Sequence, residues 1–98
     1  MKISKFQDLI KTLYFKKDKK RGLKHTFIWL IEEIGELAQL LKSTEVDKNK
    51  VSEELADIIA WTSSIANLLE IDLELSLFQK YPNICIKCKS NPCICGEL

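Results

Sequence analysis

Two stretches of this chain put carboxylates where a helix normally keeps its apolar face. The first reads Trp29-Leu-Ile-Glu32-Glu33-Ile-Gly-Glu36-Leu, the second Val51-Ser-Glu53-Glu54-Leu-Ala-Asp57-Ile-Ile-Ala-Trp61. Glu33 and Glu36 are three residues apart, as are Glu54 and Asp57. On a helix that spacing makes side chains neighbours, with Cβ atoms roughly 5–6 Å apart. At roughly 100° per residue, Trp29, Leu30, Leu37 and Leu40 fall within about 60° of Glu33, and Val51, Ile58, Trp61 and Ile65 surround Glu54. Glu32 and Glu53 turn about 100° away, nearer the polar flanks. A carboxylate in an apolar stripe must be paired, protonated or bound to a cation, because an uncompensated buried charge costs several kcal/mol or more.

Two such helices packed face to face bring four carboxylates together. Their mutual repulsion raises their pKa values unless something positive sits between them. Apart from Lys50, no Lys or Arg falls on those faces within one turn of the acids. A hard divalent cation, Mg²⁺ before Mn²⁺, suits such an all-oxygen set. A single E-E-x-x-E would read as a partly exposed helix edge paired with lysines. Two pairs on successive apolar faces favour metal.

Ninety-eight residues make one domain with a modest core. The net charge of +1 suggests neither a nucleic-acid binder nor a membrane-surface protein. No apolar run approaches the roughly 18 residues of a membrane span. The start, Met-Lys-Ile-Ser-Lys-Phe-Gln-Asp, lacks the apolar core of a signal peptide, which points to the cytoplasm and reduced thiols.

The periodicity predicts a first helix over residues 4–14, capped by Ser4 and apolar through Phe6, Leu9, Ile10, Leu13 and Tyr14. A basic connection follows, with six cations among the nine residues 16–24; it reads as a solvated loop or as a set of phosphate contacts. His25 is given no ligand role. The second helix is expected over 26–42 with Thr26 as N-cap, apolar around most of its circumference and so buried on more than one side. In so small a domain that implies a partner subunit. Gly35 weakens this helix by up to about 1 kcal/mol relative to Ala and is tolerable if another helix crosses closely there. A third helix over 50–69, capped by Asp47 or Asn49, and a short fourth one after Asp72, ended by Tyr81-Pro82, complete the bundle.

All four cysteines lie in the tail, Cys85-Ile-Lys-Cys88-Lys-Ser-Asn-Pro-Cys93-Ile-Cys95. C-x-x-C followed by C-x-C puts four thiolates within reach of one tetrahedral ion, for which structural zinc is the usual occupant. Disulfides, which a reducing compartment opposes, and an iron–sulfur centre are the alternatives. The chain thus divides into a helical unit, residues 1–82, and a cysteine-rich tail, residues 83–98.

Taken together, the acidic stretches resemble the MazG-like family of all-α nucleoside triphosphate pyrophosphohydrolases, marked by E-E-x-x-E, a spacer and E-x-x-D. Here these are Glu32-Glu33-Ile-Gly-Glu36 and Glu54-Leu-Ala-Asp57. Arg21-Gly22, Gly35-Glu36-Leu37 and Lys80-Tyr81-Pro82 agree, so the resemblance covers roughly residues 20–82. It implies a four-helix-bundle-like all-α NTP pyrophosphatase fold that forms a homodimer or dimer of dimers. It implies Mg²⁺ held by Glu33, Glu36, Glu54 and Asp57, and a nucleoside triphosphate hydrolysed to the monophosphate and pyrophosphate. Glu32 is the candidate to orient or deprotonate the attacking water. Trp29 and Trp61 are candidates to stack on the base, with core packing the alternative; Arg21 and Lys80 are candidates for phosphate. Related enzymes carry Lys and Asn on the last helix where this chain has Leu73 and Leu77. The competing reading is a non-catalytic helical oligomer whose zinc-binding tail contacts a protein or nucleic acid.

Overall fold

The computed structural model describes residues 1–96. The chain is all-α, with helices α1 (Ile3–Arg21), α2 (Leu23–Leu41), α3 (Lys48–Leu68) and α4 (Leu73–Lys80). α3 is the central element: it packs against both α1 and α2, while α4 lies on α1. None of the helices is long and apolar enough to cross a membrane.

Short-range capping sets two of the helix starts. The Asp47 carboxylate accepts from the N–H groups of Asn49 and Lys50 at 3.1 and 3.2 Å, and Asp72 accepts from Leu75 at 3.0 Å. Each satisfies backbone donors that have no partner inside the helix. The expected caps Ser4 and Thr26 do not serve. α1 begins at Ile3, and the Ser4 N–H instead takes the Glu74 carboxylate of α4 at 3.2 Å. Thr26 lies one turn inside α2, fully buried, with its hydroxyl donating to the Gly22 carbonyl at 2.8 Å.

The larger correction concerns the basic stretch, which is helix and not loop. α1 continues through it to Arg21 because lysine is a good helix former and cations suit the negative end of the dipole. The Nζ atoms of Lys11 and Lys19 flank the Phe15 ring at 5.2 and 5.5 Å, as i ± 4 spacing on a continuous helix demands. Gly22 stops it: at φ 88° and ψ 162° the backbone is where an L side chain is rarely accommodated, and α2 starts at the next residue. At Gly35 no helix crosses closely among the described residues: nothing in them lies within 4 Å of where its Cβ would be.

The most specific packing joins α1 to α3 and α4 through polar groups. Buried Gln7 donates to the Asn67 side chain at 3.0 Å and to the Ile71 carbonyl at 2.7 Å, and accepts from the Leu73 N–H at 3.0 Å. Asn67 returns a bond to the Gln7 carbonyl at 3.2 Å. Gln7→Leu leaves the buried Asn67 amide without its side-chain partner and the part-buried Ile71 carbonyl and Leu73 N–H without theirs, at about 1–3 kcal/mol for a fully buried stranded group. We expect it to lower Tm by roughly 10 °C or more. A change below about 3 °C in a circular-dichroism melt would show that the network adds little.

The apolar core is thin. Ile10 and Ala66 are the only apolar residues that are fully buried among the described ones. Phe27, Ile31, Ile34 and Leu41, with Ala38 between them, form one exposed stripe along α2, spanning about 80° of its circumference. The accessible surface is 8043 Å², against about 5700 Å² for a typical folded monomer of 11.3 kDa. Likewise the 16.2 Å radius of gyration exceeds the roughly 12.6 Å expected at this length.

Candidate functional site: an acid cluster between two helices

α2 and α3 pack along the faces that carry the acids. One carboxylate oxygen each from Glu33, Glu36 and Glu54 lies within 4.8 Å of the others. The Oε2 atoms of Glu33 and Glu54 are buried, with no hydrogen-bond donor reaching them. Nor does a cation: the one ion pair among the described residues is Arg21–Asp18, and Lys50 lines the outer edge of the cluster beside Glu36, Glu53 and Glu54 without pairing. Asp57 stands outside this close group and faces a neighbouring cavity. Glu32 is exposed on the flank, near enough for its charge to act on Glu36.

The electrostatics are those of crowded like charges. The Glu33 carboxyl is pushed up to about 7, chiefly because it can share a proton with Glu54, then by burial and by the charges of Glu54, Glu36 and Asp57. Glu36 is raised as well, first by the charge of Glu54. Between its ordinary value of 4.5 and about 7, folded Glu33 keeps a proton that the unfolded chain has lost. Stability from this group is therefore full below the lower value and lost as pH rises through the upper one. In chelator, Tm should fall between pH 5.5 and 8, and Mg²⁺ at pH 8 should restore it. A chelated protein that gains stability over that range would contradict the coupling.

The adjoining cavity, of about 370 Å³, lies between α1 and α3 and is lined by Tyr14, Lys17, Asp18, Arg21, Asp57 and Trp61 among others. Asp18 is 1% exposed. Its Oδ1 takes Arg21 Nη1 at 2.7 Å, and its Oδ2 is buried without a partner. Arg21 in turn lies over the Trp61 ring, 4.8 Å from the centroid, and Trp61 stacks on Trp29 at 6.3 Å and 13°. The two tryptophans therefore contact each other first, and Trp29, 46% exposed, offers the more open ring. Reading residues 16–24 as a loop concealed Asp18. Its i, i+3 spacing from Arg21 and its place four residues after Tyr14 were the available signals.

Lys80 and the cysteines lie elsewhere. Lys80 sits over the Tyr81 ring at 5.8 Å and lines a separate cavity with Ile84, Cys85 and Cys93. The four sulfurs converge, and N–H groups of Ile94 and then Ser90 lower the Cys88 thiol to about 6. His25 is exposed.

Carboxylates thus converge from two helices of an all-α bundle, beside a cavity lined by aromatic and basic residues. The chain belongs to the family of the MazG nucleotide pyrophosphohydrolase domain, whose model matches residues 21–91. That match runs past Pro82 into the cysteine segment. A comparison with curated proteins found no match. The family is one of nucleotide pyrophosphohydrolases that generally use divalent metals.

Proposed function

We propose that this protein is a Mg²⁺-dependent nucleoside triphosphate pyrophosphohydrolase, releasing the monophosphate and pyrophosphate. The observation that carries the reading is the trio Glu33, Glu36 and Glu54, with two buried oxygens that have neither donor nor cation. Such a set is costly unless a cation completes it, and its hard oxygens suit Mg²⁺. Glu33, Glu36 and Glu54 would hold the ion, with Asp57 completing the set from the cavity side. Bound there, Mg²⁺ supplies charge neutralisation of the triphosphate and acidifies water.

The chain's own groups supply the rest. Exposed Glu32 accepts the proton of the water whose oxygen attacks the α-phosphorus. The bond from that phosphorus to the bridging oxygen breaks, and pyrophosphate leaves. Arg21, fixed by Asp18, and Lys17 present positive charge at the cavity that Asp57 lines. They take the place of the Lys and Asn that related enzymes carry where α4 has Leu73 and Leu77, and Trp29 presents a face to the base. Lys80 belongs to the tail cavity and is a weaker candidate for phosphate.

The exposed stripe on α2 fits pairing with a second copy, giving a homodimer or dimer of dimers. The four free thiols suit a reducing compartment such as the cytoplasm. Pyrophosphate release across a panel of nucleoside triphosphates, with and without Mg²⁺, tests the activity. Silence across the panel would leave the non-catalytic oligomer.

A further inference from the structure

We propose that Cys85, Cys88, Cys93 and Cys95 bind one zinc ion, and that this ion is the core of the segment after α4. The site is independent of the hydrolase reading. Residues 81–96 contain neither helix nor strand, and none of them is buried. Ile86 and Ile94 are 48% and 73% exposed. So short a stretch cannot order itself by apolar burial. What the fold gathers there is sulfur.

All four Sγ atoms lie within 4.8 Å of one another. Cys85 and Cys95 are 3.7 Å apart, and Cys88 and Cys93 are 3.9 Å apart. A tetrahedral ion with Zn–S bonds of about 2.3 Å has S···S edges of about 3.8 Å. Disulfides would need about 2.05 Å, and an iron–sulfur cluster would interpose its own atoms and spread the thiolates. The backbone is shaped for the same centre. Lys89, at φ 63°, closes a turn by donating to the Cys85 carbonyl at 2.7 Å, while Cys85 donates to the Ser90 carbonyl at 2.9 Å. The N–H groups of Ile94 and Cys95 reach Cys88 and Cys93 Sγ, each at 3.4 Å. Such N–H···S contacts orient and stabilise thiolate ligands. Four thiolates on a divalent ion leave two excess negative charges, and Lys87 and Lys89 lie within the same loop. Thiolates select zinc, whereas the acid cluster selects a hard cation.

The test uses the whole 98-residue chain, purified without chelator and analysed for metals, and a Co²⁺ titration of the reduced, zinc-stripped chain. We expect one zinc per chain and one equivalent of Co²⁺ with a thiolate charge-transfer band, displaced by Zn²⁺ and untouched by Mg²⁺. Cys88→Ser and Cys95→Ser should each lose both zinc and band, keep the helical circular-dichroism signal, and become protease-sensitive after Pro82. Glu33→Gln should keep the zinc. The proposal is overturned if four thiols stay metal-free with added Zn²⁺, if they are native disulfides, if iron is the metal found, or if both cysteine variants retain zinc.

Discussion

Glu33→Gln and Asp57→Asn are each expected to lower Mg²⁺-dependent pyrophosphate release by about 100-fold or more, a loss of at least a few kcal/mol of transition-state stabilisation. Neither substitution changes side-chain volume appreciably, so the bundle should stay folded. Glu33→Gln should also raise the Tm of the chelated protein above pH 7, because it removes a carboxylate from a crowded site whose pKa stands at about 7. Glu53→Gln, on the exposed flank, is the control and should change turnover by about twofold at most. Near-normal rates in both Glu33→Gln and Asp57→Asn would show that the acid cluster is not the reaction centre. The opposite effects of Glu33→Gln on activity and on apo stability separate a metal site from a merely structural polar patch.

In light scattering at micromolar concentration the protein should have at least twice its chain mass of 11.3 kDa. The reason is the stripe Phe27, Ile31, Ile34, Ala38 and Leu41, all exposed on one side of α2. Their spacing alternates between four and three residues, the pattern of a helix-pairing seam. The surface in excess of a typical monomer, about 2300 Å², is of the order that a stable homodimer covers from each copy. Ile31→Glu should shift the protein toward monomer and lower its Tm by roughly 10 °C or more. A mass near 11.3 kDa for the unaltered chain would refute the assembly.

Local signals determined much of this protein. The helix starts at Asp47 and Asp72 were legible because an acidic cap needs only the N–H groups two or three residues ahead. The end of α4 before Tyr81-Pro82 was legible because proline restricts the residue before it. Convergence of Glu33, Glu36 and Glu54 followed from three-residue spacing on two apolar faces that had to meet. Tertiary structure decided what depends on distant partners. α1 runs to Arg21, yet its buried side holds Gln7 and Asp18, which no apolar periodicity marks. Gln7 is admitted to the interior only because Asn67, sixty positions along the chain, meets it. Asp18 is tolerated because Arg21 bonds it while lying on Trp61 of another helix. The placement of Asp57 in the cavity and of Lys80 beside the cysteines was likewise a matter of packing. A sequence pattern reports what each residue prefers locally; a buried polar group is stable only if its partner arrives, and the partner is fixed by the fold.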